Sequence, residues 1–216
     1  MTSGLFPTLA VAAMAVGSLH SLAPDHWVPF AALARAQGWP AGRTARVTFC
    51  CGFGHVTVSV LLGLLGLLFG RQMFESFGQR MESFAGVLLV AFGLIYGVWG
   101  LRRTAGRHFH GHVHLHYDHV HDPGKMTVRG LFLLFSADPC VAVVPLLFAA
   151  APLGAVQTII LVVLYEAATI ATMVALVLPA RAGAELVRGA WFTRYGDATA
   201  GGLIAVTGLV VGVLGW

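Results

Sequence analysis

Charge is what this chain has least of: Asp, Glu, Lys and Arg make up 10% of its 216 residues, against 57% hydrophobic. A soluble domain carries roughly 25% charged residues, so a water-facing globule is excluded and an integral membrane protein is expected. Short alternating segments, the mark of a membrane β-barrel, are missing too. The apolar runs are continuous stretches of Leu, Val, Ala and Gly, which read as helices. Cysteine is scarce. Cys50, Cys51 and Cys140 all lie inside apolar runs, which rules out a secreted disulfide framework and leaves soft-metal ligation or plain packing. The amino terminus has no basic region of the kind that opens a signal peptide, so the first apolar run is expected to be retained. Two catalytic signatures are absent as well: the G-x-x-x-x-G-K-[ST] loop that holds ATP and the H-E-x-x-H pair of metallohydrolases.

Runs long enough to cross about 30 Å of hydrocarbon fall near 8–35, 45–69, 83–101, 129–151, 154–180 and 198–216. Six helical spans are expected. Of the 13 basic residues, eleven follow spans one, three and five, and only Arg71 and Arg80 lie on the other side, offset by Glu75 and Glu82. The positive-inside bias therefore puts both termini outside and the 102–128 connection in the cytoplasm of a prokaryotic cell. The net charge of +4 orients the protein in a lipid bilayer and implies no nucleic-acid partner.

Residues 85–101 align without gaps on 200–216, with the glycines at 86, 93, 97 and 100 falling on those at 201, 208, 212 and 215. Other matches follow in order. Ser21 and Pro24 fall on Ser136 and Pro139, and His55 falls opposite Glu166. The chain reads as two three-helix units, 1–101 and 129–216, joined by the loop at 102–128. Three is odd, so the copies must be inverted, the plan of many secondary transporters.

The polar residues inside the spans carry the chemistry. His20, Asp25 and His26 lie within seven residues, and hydrocarbon is an expensive place to keep them. On a regular helix Asp25 and His26 would lie about 140° and 240° around from His20, too far apart to share an ion. A break at Ala23-Pro24 would bring them together, and Pro24 would leave the His20 carbonyl without its helical donor. His55 shares a helix face with Cys51 and Ser59. The second unit offers Asp138 and Cys140 around Pro139, then Glu166 and Thr169 in span five, as outer or coupling groups. Imidazole, carboxylate and thiol together suit Ni, Co, Zn or Fe better than Mg or Ca. The 102–128 connection adds a separate signal: His108, His110, His112, His114, His116, His119 and His121 make half of a fourteen-residue stretch, a composition associated with metal capture.

His20-x4-Asp25-His26 is similar to the H-x4-D-H signature of the nickel/cobalt transporter superfamily, and Gly54-His55-Val56-Thr57-Val58 resembles the G-H-S-T-V segment of its next helix. Leu164 to Thr169 is a looser echo of its later acidic motif. The His-rich loop between spans three and four and the Pro139-Cys140 pair resemble its six-helix efflux branch. The uptake permeases have eight helices, and their second acidic motif is missing here. The resemblance implies transport of divalent metal, Ni²⁺ or Co²⁺ before Zn²⁺ or Fe²⁺, with His20, Asp25, His26 and His55 as ligands and no catalysis. A cytoplasmic metal acceptor is a compatible partner. Two rival classes use the same residues: a membrane thiol-redox protein working through the three cysteines, and an intramembrane metallohydrolase activating water at the His/Asp set.

Overall fold

The computed structural model describes residues 5–69, 71–106, 123–138, 140, 142–186 and 190–214. Among them every regular element is helical. The order is α1 (Leu5–His20), α2 (Pro24–Ala36), α3 (Ala41–Phe69), α4 (Arg71–Gly106), α5 (Pro123–Ala137), α6 (Val143–Ala150), α7 (Ala155–Leu186) and α8 (Ala190–Leu214), with one 3-10 turn at Ala151–Leu153.

Three stretches, Ala41–Gly66, Gly86–Ala105 and Ala155–Gly183, are long and apolar enough to cross a membrane, and α1 with α2 makes a fourth if the bent pair is one span. These are the helices of a membrane protein. Their outer faces agree: Leu61, Ile95, Val156 and Ile159 are each more than half exposed, an arrangement suited to lipid rather than water. The 129–151 run, expected as one span, is two shorter apolar helices. The helices also trim the expected loop at both ends, because α4 runs on to Gly106 and α5 starts at Pro123. The seven histidines from His108 to His121 and Pro139 lie outside the described residues.

Local chemistry explains the break between α1 and α2. Pro24 occupies the first turn of α2, where its missing amide is no loss and its fixed φ suits a helix start. Asp25 follows in the same first turn, favourably placed at the positive end of the helix dipole. The two helices meet at 52°. Ser21 pins the corner by donating from Oγ to Gly17 O at 2.7 Å and to Thr169 O of α7 at 3.2 Å. The His20 carbonyl, expected to be left free by Pro24, instead accepts Ala23 N–H at 3.1 Å, because the tight turn supplies a donor one residue before the proline.

Two apolar clusters fill the interior. One gathers Phe30, Leu33, Trp39, Leu131, Phe135 and Ile204; the other gathers Ala13, Val56, Val143, Leu147, Leu161 and Tyr165. The buried polar residues include Ser21, Asp25, His26, His55, Ser59 and Thr169.

Candidate metal centre

All three histidines outside the loop converge at the corner between α1 and α2. Ring centroids are 4.3 Å apart for His20 and His26, 5.1 Å for His26 and His55, and 6.0 Å for His20 and His55. His26 and His55 are buried, and His20 is partly so. The Nε2 atom of each is buried with no hydrogen-bond partner.

Two of the rings are held by their other nitrogen. His26 Nδ1 lies 2.9 Å from Asp25 Oδ1, and His55 Nδ1 lies 3.1 Å from the Phe135 carbonyl oxygen. An oxygen of either kind accepts, so Nδ1–H donates in both rings and Nε2 keeps its lone pair. That is the tautomer a metal-binding imidazole needs. The Phe135 carbonyl is available because residue 139, four further on, is proline and has no amide to give it. It is within reach because position 54 is glycine: a Cβ there would fall 2.7 Å from Ser136 Oγ and 2.8 Å from the Phe132 ring. Only a bare backbone admits α5 so close.

Cys140 enters the cluster from the α5–α6 break. One ligand atom each from His20, His55 and Cys140 lies within 4.8 Å of the others. Ser59 fixes that segment, donating from Oγ to His55 O at 2.7 Å and accepting Cys140 N–H at 2.6 Å. Tyr165 of α7 closes the far side, its hydroxyl 2.6 Å from Cys140 Sγ. Tyr165 carried no signal in the sequence, since a tyrosine in an apolar run looks like packing, whereas Pro139 marks the Phe135 carbonyl as one left without a helical donor.

The other candidates are distributed around this core. Asp25 is buried beside His26, its Oδ1 paired with His26 Nδ1. Asp138 is half-buried at the α5–α6 break. Cys51 is buried in the Phe30 cluster, two helical turns from Ser59, and belongs to no ligand group among the described residues. Thr169 is buried where α7 meets α1, and a Cβ on Gly17 would fall 2.9 Å from its Oγ1. Glu166 is half-buried on α7, with a buried Oε1 that has no hydrogen-bond partner. The three cysteines are free thiols, Cys50 exposed and the other two buried.

Comparison with known proteins adds one relation. Over 104 residues the chain is 27% identical to the urease accessory protein UreH of Bacillus sp. (strain TB-90). The match takes in 48% of this chain and 44% of that protein, so the chain spans less than half of the relative's length. No family model and no solved structure matches.

Proposed function

We propose that this protein carries a divalent transition-metal ion, Ni²⁺ or Co²⁺ ahead of Zn²⁺ or Fe²⁺, across a prokaryotic cytoplasmic membrane. The observation that carries this reading is a cluster of three imidazoles with ring centroids 4.3 to 6.0 Å apart, each with a buried, unpartnered Nε2, two of which, His20 and His55, bring a ligand atom within 4.8 Å of one from Cys140. Leaving a buried polar atom unpaired costs about 1–3 kcal/mol, and a cation shared among them removes that penalty. His20, His26 and His55 replace the ion's water ligands, Cys140 adds a soft donor, and Asp25 orients His26. Nitrogen and sulfur donors select a transition metal over Mg²⁺ or Ca²⁺.

The path is a six-crossing bundle of two inverted units, with α5 and α6 together as a broken fourth span. Support for the inversion comes from α4 and α8. A Cβ on Gly208 would meet Val90 N at 2.8 Å and Gly86 O at 2.9 Å; one on Gly93 would meet Ala205 N and, at 2.7 Å, Gly201 O. Adding 115 to residue numbers in the first unit turns Gly93, Val90 and Gly86 into Gly208, Ala205 and Gly201. The contacts therefore exchange with one another, which is the self-complementarity that a two-fold axis requires. Rocking of the two units about this seam alternates access to the site, and Glu166 and Asp138 adjust charge or carry a coupling proton. The sequence has no ATP loop, so an ion gradient, the membrane potential or a partner drives the cycle. The name of its relative adds an accessory role to this reading: the ion serves an acceptor enzyme in the cytoplasm, and the His-rich loop at 102–128 gathers it.

Flux of Ni²⁺ and Co²⁺ into proteoliposomes of the purified chain, measured in both orientations, tests transport and reads its direction. His20→Ala, His26→Ala and His55→Ala should each abolish flux while the protein stays folded. Undiminished transport in any two of the three refutes the site. Turnover of a substrate by the purified protein would favour the metallohydrolase instead, and loss of function on replacing Cys50 and Cys51 with Cys140 and the histidines intact would favour thiol chemistry.

A further inference from the structure

A cleft of about 710 Å³ opens between the first halves of α3 and α5, on the opposite side of Gly54 from Cys140. These helices run in the same direction: Gly54 meets Phe132 and Ser136, His55 reaches Phe135, and Ser59 reaches Cys140, so positions climb together on both. They touch at Gly54 and part toward their starts. The cleft is the wedge between them.

Its wall changes character along its length. Arg43 and Arg46 on the first two turns of α3, with Arg129 on the second turn of α5, stand toward the open end. Val47, Cys51 and Phe132 continue inward as an apolar floor. Neither helix carries an acidic residue anywhere along its length, so no carboxylate from α3 or α5 offsets the three guanidinium groups. Arg43 packs over the Trp39 ring at 5.0 Å, and Arg46 donates from Nε to Gly42 O at 3.3 Å. Both contacts leave the terminal nitrogens of the fork available. Leu133 lines the cleft and is 67% exposed, and Phe49 on the adjoining surface is 52% exposed.

We propose that this cleft binds one anionic phospholipid, its phosphate held by Arg43, Arg46 and Arg129 and one acyl chain lying on the Val47, Cys51 and Phe132 floor. Charge at one end and hydrocarbon at the other match an amphiphile lying along the helices, and arginine forks hold phosphate oxygens in pairs. A bare cation meets three positive charges at the mouth, so the cleft is separate from the metal path. The lipid braces the α3–α5 wedge one turn before the bond from His55 to Phe135, so its presence firms the metal centre. The lipid site stands whether or not the protein carries metal.

The test uses the full chain, delipidated in a neutral detergent and titrated with phosphatidylglycerol or phosphatidylcholine. Native mass spectrometry and thermal unfolding are the readouts. Phosphatidylglycerol should be retained at one per chain and raise the unfolding temperature, and phosphatidylcholine should do neither. The triple variant R43Q/R46Q/R129Q should weaken retention on the order of 100-fold, a factor of about five for each arginine lost near a charged headgroup. Leu133→Trp, at an exposed position, fills the apolar part with the arginines intact. It should also expel the lipid, so the test survives if the triple variant fails to fold. Equal retention of both lipids overturns the proposal, as does unchanged retention in a folded triple variant or in Leu133→Trp. Stabilisation by millimolar inorganic phosphate to the same extent as by phosphatidylglycerol also overturns it, in favour of a free-anion site.

Discussion

Replacing Asp25 by Asn separates a carboxylate that orients a ligand from one that binds metal itself. The buried pair of His26 Nδ1 and Asp25 Oδ1 is 2.9 Å apart, and a hydrogen bond to an ionised group contributes about 1.5–3 kcal/mol against about 1 for a neutral one. Asn keeps an acceptor oxygen of the same shape, so only the charge is lost. The difference is on the order of 1.4 kcal/mol, or tenfold in metal affinity. Asp25→Ala removes the bond as well and should reach about 100-fold, the upper range for groups that orient metal-bound histidines. The assay is equilibrium Ni²⁺ binding to the purified chain in detergent, with the seven loop histidines replaced by serine so that only the intramembrane site is read. Stoichiometry should stay at one per chain in Asp25→Asn, whereas His26→Ala should leave no measurable site. If Asp25→Asn eliminates binding as completely as His26→Ala, then Asp25 is itself a ligand; if it changes nothing, the bond to His26 has no part in the centre. Either result refutes the orienting role.

The tight seam between α4 and α8 predicts a sharp contrast at adjacent glycines. A Cβ on Gly201 would strike the Gly97 backbone, and one on Gly202 meets nothing within 4 Å. Gly201→Ala should therefore cost about 1–3 kcal/mol, seen as a lower unfolding temperature in detergent, with Gly202→Ala unchanged. Replacing His108, His110, His112, His114, His116, His119 and His121 by serine should weaken apparent affinity at low metal and spare maximal flux, because the loop raises local concentration without forming the crossing site. Complete loss of flux at saturating metal would overturn that division of labour. For topology, His114→Cys in a chain with its three native cysteines changed to serine should react with an impermeant thiol reagent only after cells are opened. Labelling of intact cells would reverse the orientation drawn from the eleven-to-two distribution of basic residues.

Composition alone determined the solvent: 10% charge and long Leu/Val/Ala/Gly runs can be satisfied only where helices close their own backbone bonds. Local rules also reach the break before Pro24, since proline's missing amide and the angular spread of His20, Asp25 and His26 are properties of one short segment. The partners of that segment were another matter. His55 lies 80 residues from the carbonyl that orients it, and Cys140 lies 120 residues from His20, in a different helical unit. Nothing in the spacing of either motif fixes the register of α3 against α5. That register depends on Gly54 admitting Phe132 and Ser136, and on Ser59 catching the Cys140 amide, contacts that exist only once the helices pack. Asp25 shows the same limit at closer range: in the sequence it is one more oxygen beside two imidazoles. Only the turn geometry at Ala23 and Pro24 decides that it faces His26 Nδ1 and leaves His26 Nε2 without a partner.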